Sequence, residues 1–282
     1  CYGDNGVFGK IFRRQDDDER LQGNENNRRY CQKSGTVRMI SFNAEQRFIV
    51  TGASSGIGKG VALLLNELGA TVIGIGRNRE RLEAMKNQAD HPENMFVEQK
   101  DLTSDIENLP TYVKALKDKY GKFSGMAYCA GIVPIQPLTA TDFKTLHETL
   151  NINYIAPVLA AKGLADKRNN TGEGTAMVFI SSASSLICDK GHLTYAGSKA
   201  ALCASVRSMA KEYAKNKIRM NCILPTNIQT EKTPQEYIDS QIAMYPMGFG
   251  KITDVANFVA FLLSDKAKWI TGQNYVMDCA SF

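Results

Sequence analysis

From Gln46 onward, short apolar runs alternate with segments of helical period. The runs at 48–50, 71–75, 95–99, 125–129, 176–180, 219–224 and 274–277 read as strands, bounded by glycine, proline and small polar residues. Helices are expected over 57–68, from Arg79 to about Gln88, and over 106–120, 142–167, 195–215 and 253–264. The first of these carries Val61, Leu64, Leu65 and Leu68 on one face and stops at Gly69. Pro157 should kink the long helix. The stretch between the sixth strand and the last helix is expected to be a loop of about 25 residues. This alternation predicts a doubly wound, Rossmann-type α/β fold: about seven parallel strands, helices on both faces, and a single domain over residues 41–282.

Residues 1–40 break the pattern. They hold Asp16-Asp17-Asp18-Glu19-Arg20 and a polar run from Asn24 to Arg29, with few apolar side chains and no period. The chain begins with Cys1, and Met39 stands a short step before the first strand. This segment is expected to be a disordered extension, either appended to the natural sequence or a flexible arm.

Composition narrows the function classes. Of 282 residues, 43% are apolar, enough for a sizeable core. A net charge of +5 arises from 34 basic and 29 acidic side chains scattered along the chain, so no stripe for nucleic acid is formed. Seven cysteines are dispersed, with no Cys-x-x-Cys and no histidine at metal-ligand spacing, which excludes a metal site of common type and suits a reducing compartment. No apolar run reaches membrane-spanning length, and the expected location is cytoplasmic.

Two constellations carry chemistry. The first is Thr51-Gly52-Ala53-Ser54-Ser55-Gly56-Ile57-Gly58, between a strand and a helix. Glycines there leave backbone N–H groups and a positive helix end open to a phosphate, so the turn is expected to bind a dinucleotide. The second is Tyr195 with Lys199, four residues apart on one helix face. An ammonium about 4 Å from a phenol is worth up to roughly 4 kcal/mol at an effective dielectric near 20 and, reinforced by the positive ring of the dinucleotide, would lower a pKa that starts near 10. The spacing alone proves nothing, because Tyr213 and Lys217 repeat it. The distinction lies upstream: Ser182 stands at the carboxyl end of a strand before Tyr195, whereas Ala200 holds the equivalent place before Tyr213.

Taken in order, Thr51-Gly52-x-x-x-Gly56-x-Gly58, Asp101, Ala130-Gly131, Asn153, Ser182, Tyr195-x-x-x-Lys199, Pro225 and Thr230 resemble the pattern of the short-chain dehydrogenase/reductases over roughly residues 46–278. The resemblance implies an NAD(P)-dependent oxidoreductase with Tyr195 as general acid/base and Lys199 on the nicotinamide ribose. It further implies that Ser182 orients the substrate carbonyl and that Asn153 holds a proton-relaying water, with Asn151 as the alternative. The implied cofactor positions are Thr51, Gly52, Ser54, Ser55, Gly56, Ile57, Gly58, Asp101, Leu102, Ala130, Gly131, Pro225, Ile228 and Thr230, and the implied assembly is a homotetramer or homodimer.

The sequence departs from that pattern at Cys129, where Asn usually precedes Ala-Gly, at Thr226 after Pro225, and at Cys279-Ala280, in place of a glycine pair. The edge of the second strand reads Gly76-Arg77 where an acid would bond the 2′-hydroxyl of NAD, so NADP(H) is expected over NAD(H), unless Arg77 merely faces water. Apolar residues in 132–135, 186–187 and 226–250 suggest a ketone with an apolar body. Tyr245-Pro246-Met247-Gly248 and Ile270-Thr271-Gly272-Gln273 are most similar to the 3-oxoacyl-carrier-protein reductase branch. His192 lies near Tyr195, where an exposed loop histidine is the plain role. The expected partner is therefore a small carbonyl or alcohol. The alternatives are an NAD(H)-dependent sterol or sugar alcohol dehydrogenase and a non-catalytic dinucleotide sensor.

Overall fold

The computed structural model describes residues 40–231 and 233–281. The arm expected over the first 38 residues lies outside them. Seven strands, β1 (Arg47–Thr51), β2 (Thr71–Gly76), β3 (Met95–Gln99), β4 (Gly125–Tyr128), β5 (Ala176–Ile180), β6 (Arg219–Pro225) and β9 (Asn274–Met277), form one sheet. Its order is β3-β2-β1-β4-β5-β6-β9, and every pair is parallel. The remaining strands, β7 (Ile228–Gln229) and β8 (Gly250–Lys251), make a separate parallel ribbon.

Alternate side chains of the buried strands feed two cores, as a sheet covered on both faces requires. Phe48, Val50, Val72 and Val178 meet helices α1 (Gly56–Glu67), α2 (Arg79–Lys86) and α9 (Ile252–Leu263) through Val61, Leu65, Leu82 and Val259. Ile49, Met126, Tyr128 and Phe179 meet α3 (Leu109–Tyr120), α5 (Ala156–Ala165) and α7 (Leu193–Tyr213) through Val113, Leu164 and Val206. Each such side chain, fully buried, contributes about 1.5–3 kcal/mol.

Three local readings change. The expected helix over 142–167 is α4 (Phe143–Leu150), a π-helical turn (Asn151–Ile155) and α5. The break lies upstream of Pro157, which occupies the first turn of α5, where a missing N–H is tolerated. The expected loop between β6 and α9 holds β7, α8 (Gln235–Gln241), a 3-10 turn (Ile242–Met244) and β8. A further helical turn, α6 (Ser184–Ile187), follows β5 directly. The sheet order reverses between β1 and β4, so the carboxyl ends of these strands open a crevice at the switch point.

Candidate active site

At the β1 end of the crevice the backbone does most of the building. Thr51 is buried, and its Oγ1 accepts from the N–H groups of Cys129 and Ala130 at 3.0 and 3.1 Å, tying the ends of β1 and β4 together. A side chain is excluded at Gly58, where a Cβ would stand 2.4 Å from the Gly52 carbonyl oxygen. At Gly56 the reason differs: φ is +55°, in the left-handed region, and the space above it is open. Ser55 precedes α1 without capping it through its side chain, and the first turn of α1 holds no acid. The leading N–H groups and the positive helix end therefore face open space beside a glycine, a fit for the pyrophosphate of a dinucleotide.

Further along the same edge, a Cβ on Gly76 would stand 3.2 Å from Ser54 Oγ and 3.3 Å from Leu82 Cδ2, leaving little room for an acidic side chain. Arg77 follows and is exposed. Asp101 accepts from Thr103 N and Oγ1 at 2.9 and 2.7 Å. Its partial burial would raise its pKa, but the Thr103 bonds and the charges of Arg77 and Lys100 outweigh burial and lower it. Leu102 points into the core instead.

The other wall is made of side chains. Tyr195 and Lys199 lie on α7, with Lys199 Nζ 5.8 Å from the Tyr195 ring centroid. Lys199 is buried, and its Nζ donates to the Ile180 carbonyl at 2.8 Å. Burial lowers the pKa of this ammonium to about 8, against the opposing pull of Cys222, Cys203 and Cys129. Ser182, two residues past that carbonyl at the end of β5, lies close enough to the half-buried Tyr195 phenol to pull its pKa down. The Ser182 oxygen also accepts from Ser184 N at 3.1 Å.

The expected acidification of the phenol by Lys199 and the positive cofactor ring works against desolvation: burial pushes the Tyr195 pKa up, and Ser182 pulls it down.

Asn153 is fully buried in the π-helical turn. Its Nδ2 donates to the Ile132 carbonyl at 2.9 Å and to Ser198 Oγ at 3.1 Å, while its Oδ1 accepts from Ile132 N at 3.0 Å. Gly131 belongs to the same clamp, since a Cβ there would meet Asn153 Oδ1 at 2.9 Å and Lys199 Nζ at 3.5 Å. Asn151 instead faces His147. The decoy pair separates as well: Lys217 sits beyond the helix at φ +56° and pairs with Glu173 at 2.6 Å.

Pro225 ends β6, Ile228 lies in β7, and Thr230 N donates to Thr233 Oγ1 at 2.9 Å. Ser198 and the carbonyl of Ile180 escaped the sequence reading. Ser198 Oγ donates to the Tyr195 carbonyl at 2.7 Å while receiving Asn153, and only its place inside Tyr-x-x-x-Lys hinted at it. Among the described residues no cluster of His, Cys, Asp or Glu is arranged for a metal, and no helix is long and apolar enough to cross a membrane.

Residues 52–279 match the family described as Enoyl-(Acyl carrier protein) reductase. The chain is a short-chain dehydrogenase/reductase. It is 29% identical over 233 residues to the 3-oxoacyl-[acyl-carrier-protein] reductase FabG of Thermotoga maritima, covering 80% of this chain and 93% of the relative. Over 235 residues it is 32% identical to the NAD-dependent glycerol dehydrogenase of Listeria innocua, covering 82% and 91%. Among solved structures, a Burkholderia cenocepacia short chain dehydrogenase in complex with NADP superposes with a TM-score of 0.77 at 27% identity, covering 84% of this chain and 98% of that one. Family membership makes the chain an oxidoreductase.

Proposed function

We propose that this short-chain dehydrogenase/reductase interconverts a ketone and a secondary alcohol using NADP(H), with Tyr195 as the proton donor and acceptor. The observation that carries the reading is that a buried Lys199 holds its Nζ 5.8 Å from the Tyr195 ring, with Ser182 at the end of β5 close enough to pull the phenol's pKa down. The bound cofactor supplies the hydride and, when oxidised, a positive ring. Thr51 to Gly58 would hold its pyrophosphate, Arg77 a 2′-phosphate, Asp101 and the Leu102 backbone the adenine, and Ala130, Gly131, Pro225, Ile228 and Thr230 the nicotinamide half. The crowded Gly76 and the exposed Arg77 support NADP(H) over NAD(H).

In the reducing direction Ser182 and Tyr195 donate to the carbonyl oxygen, and the phenol's proton passes to that oxygen as it gains charge. A phenol kept protonated by burial suits the donor role. Lys199, its pKa lowered to about 8 by burial, would hold the ribose. The side chain of Asn153 is committed to Ile132 and Ser198. A relay water would therefore be held by the Asn153 backbone carbonyl and not by its side chain.

Exposed Val133, Ile135, Leu186 and Ile187, in the segments expected to wall the substrate, support a ketone with an apolar flank, 3-oxoacyl-like or otherwise. The five described cysteines are free, in keeping with a reducing, cytoplasmic setting. Exposed Phe143, Leu146 and Leu193 support self-association as a homodimer or homotetramer.

Following cofactor absorbance against ketones, oxoacyl thioesters and sterols tests the reading. Turnover is expected, at least about tenfold better in kcat/KM with NADPH than with NADH. Equal or better use of NADH overturns the cofactor assignment, and cofactor binding without turnover leaves a sensor.

A further inference from the structure

Tyr128 ends β4, the central strand of the sheet, and is almost fully buried. Its hydroxyl donates to the Ile152 carbonyl at 3.2 Å, which joins that strand to the π-helical turn at Asn151–Ile155. The helix itself shows why the bond is needed. In α-helical register the Ile152 carbonyl would receive the N–H of residue 156. Here Ala156 N donates to the Asn151 carbonyl five residues back, as the π register requires, so the N–H next in line for Ile152 is that of residue 157. That residue is Pro157, which has none to give. Deprived of both backbone donors, the Ile152 carbonyl takes the Tyr128 phenol instead.

A buried carbonyl left without a donor is costly, so the bond holds the turn in its unusual register. What it secures lies one residue on. The Asn153 side chain makes two bonds to the backbone of Ile132, at 2.9 and 3.0 Å, and one to Ser198 Oγ at 3.1 Å. A Cβ built on Gly131 would meet both Asn153 Oδ1, at 2.9 Å, and Lys199 Nζ, at 3.5 Å, so the turn and the lysine converge on one glycine. Tyr128 is anchored from the other side as well. The N–H of Cys129, next in the chain, donates to Thr51 Oγ1 at 3.0 Å. Burial keeps the Tyr128 pKa above the ordinary phenol range, so the hydroxyl retains the proton that it donates.

We infer that Tyr128 is a positioning residue: its phenol supplies the hydrogen bond that Pro157 cannot, pins the π-helical turn to β4, and so keeps Asn153 in place beside Lys199 for proton delivery. The inference rests on the reading of Tyr195 as proton donor with a relay water on the Asn153 carbonyl.

The test compares the full wild-type chain with Tyr128→Phe, Pro157→Ala and the double variant, in which residue 157 regains an N–H. Hydrogen exchange of the 151–156 amides reads the turn without substrate. Tyr128→Phe should speed it at least about tenfold, and adding Pro157→Ala should return it to within about threefold of wild type. Kinetics use NADPH and whichever of 2-pentanone, an acetoacetyl thioester and a 3-oxosteroid turns over fastest. Tyr128→Phe should lower kcat about tenfold, leave the NADPH dissociation constant within about threefold, and raise the solvent deuterium isotope effect on kcat, as slowed proton delivery requires. The double variant should recover most of the lost kcat, and Pro157→Ala alone should match wild type. Unchanged exchange in Tyr128→Phe, a loss that the double variant does not recover, or a lower kcat with no rise in the isotope effect overturns the inference while leaving the dehydrogenase reading in place. Turnover of none of the three substrates removes the dehydrogenase reading. Exchange in the stated order then still supports the pin, and exchange out of that order overturns it as well.

Discussion

The turn after β1 and the wall supplied by α7 face one crevice but are made of different material. Around Gly52, Gly56 and Gly58 the chain presents backbone, and side chains are excluded either by contact, 2.4 Å at Gly58, or by a positive φ, as at Gly56. Around Tyr195 it presents buried side chains whose ionisation is set by their surroundings: Lys199 is lowered to about 8 and Tyr195 is raised, both by burial first. A backbone site fails when an atom is added. A side-chain site fails when a charge or a proton is mistimed.

That contrast can be sharpened by substitution. At the backbone end, Gly58→Ala must push the Gly52 carbonyl aside, and the NADPH dissociation constant should rise about 100-fold or more, with little change in the unfolding midpoint beyond the about 1–3 kcal/mol of an overpacked site. Fluorescence titration of bound NADPH reads this, and tight binding by the variant would break the distinction.

At the side-chain end, the sign of the pH effect follows from Lys199. Its pKa lies at about 8 in the folded chain against an ordinary 10.5. Between those values the unfolded chain binds the extra proton, so this group's contribution makes stability rise with pH. Below about pH 8 the full cost of the buried charge remains. Relative to Lys199→Met, the wild type should gain up to roughly 3 kcal/mol on going from pH 8 to 10.5. Buried Tyr128 and Tyr195 act in the opposite sense above pH 10, so the difference between the two proteins in urea unfolding isolates the lysine. Parallel profiles would remove the buried charge from the account.

The smallest effect lies away from both ends. Cys279 and Ala280 hold φ values of +57° and +56°, where the family pattern has glycine. The left-handed conformation costs a side-chain-bearing residue about 1–2 kcal/mol. Cys279→Gly and Ala280→Gly should therefore each stabilise the protein by about 1 kcal/mol in denaturant unfolding, although Cys279→Gly also gives up the contact of its sulfur with Met247 N at 2.9 Å. No gain from Ala280→Gly would show that the strain is absorbed elsewhere.

The same contrast explains what was legible before the fold was known. Glycine spacing states directly where backbone must pass, and strand hydrophobicity gave the sheet because every strand of its middle is buried. Tyr195 and Lys199 needed context, since Tyr213 and Lys217 have the same spacing: Ala200 stands upstream of that pair where Ser182 precedes Tyr195, and Lys217 turns into the left-handed region. The π-helical turn at Asn151–Ile155 was invisible, because a one-residue change of hydrogen-bond register leaves no mark on a 3.6-residue hydrophobic period. The burial that opposes acidification of Tyr195 was also illegible, because the spacing of two residues reports their proximity but not the solvent each loses.

The account turns on a phenol that gives its proton to a carbonyl beside a cofactor held by backbone. Tyr195→Phe separates the two ends in one protein. Turnover of the best ketone should fall at least about 1000-fold while the NADPH dissociation constant, measured on the same preparation, stays within about threefold of wild type. Turnover kept within about tenfold of wild type would contradict the account.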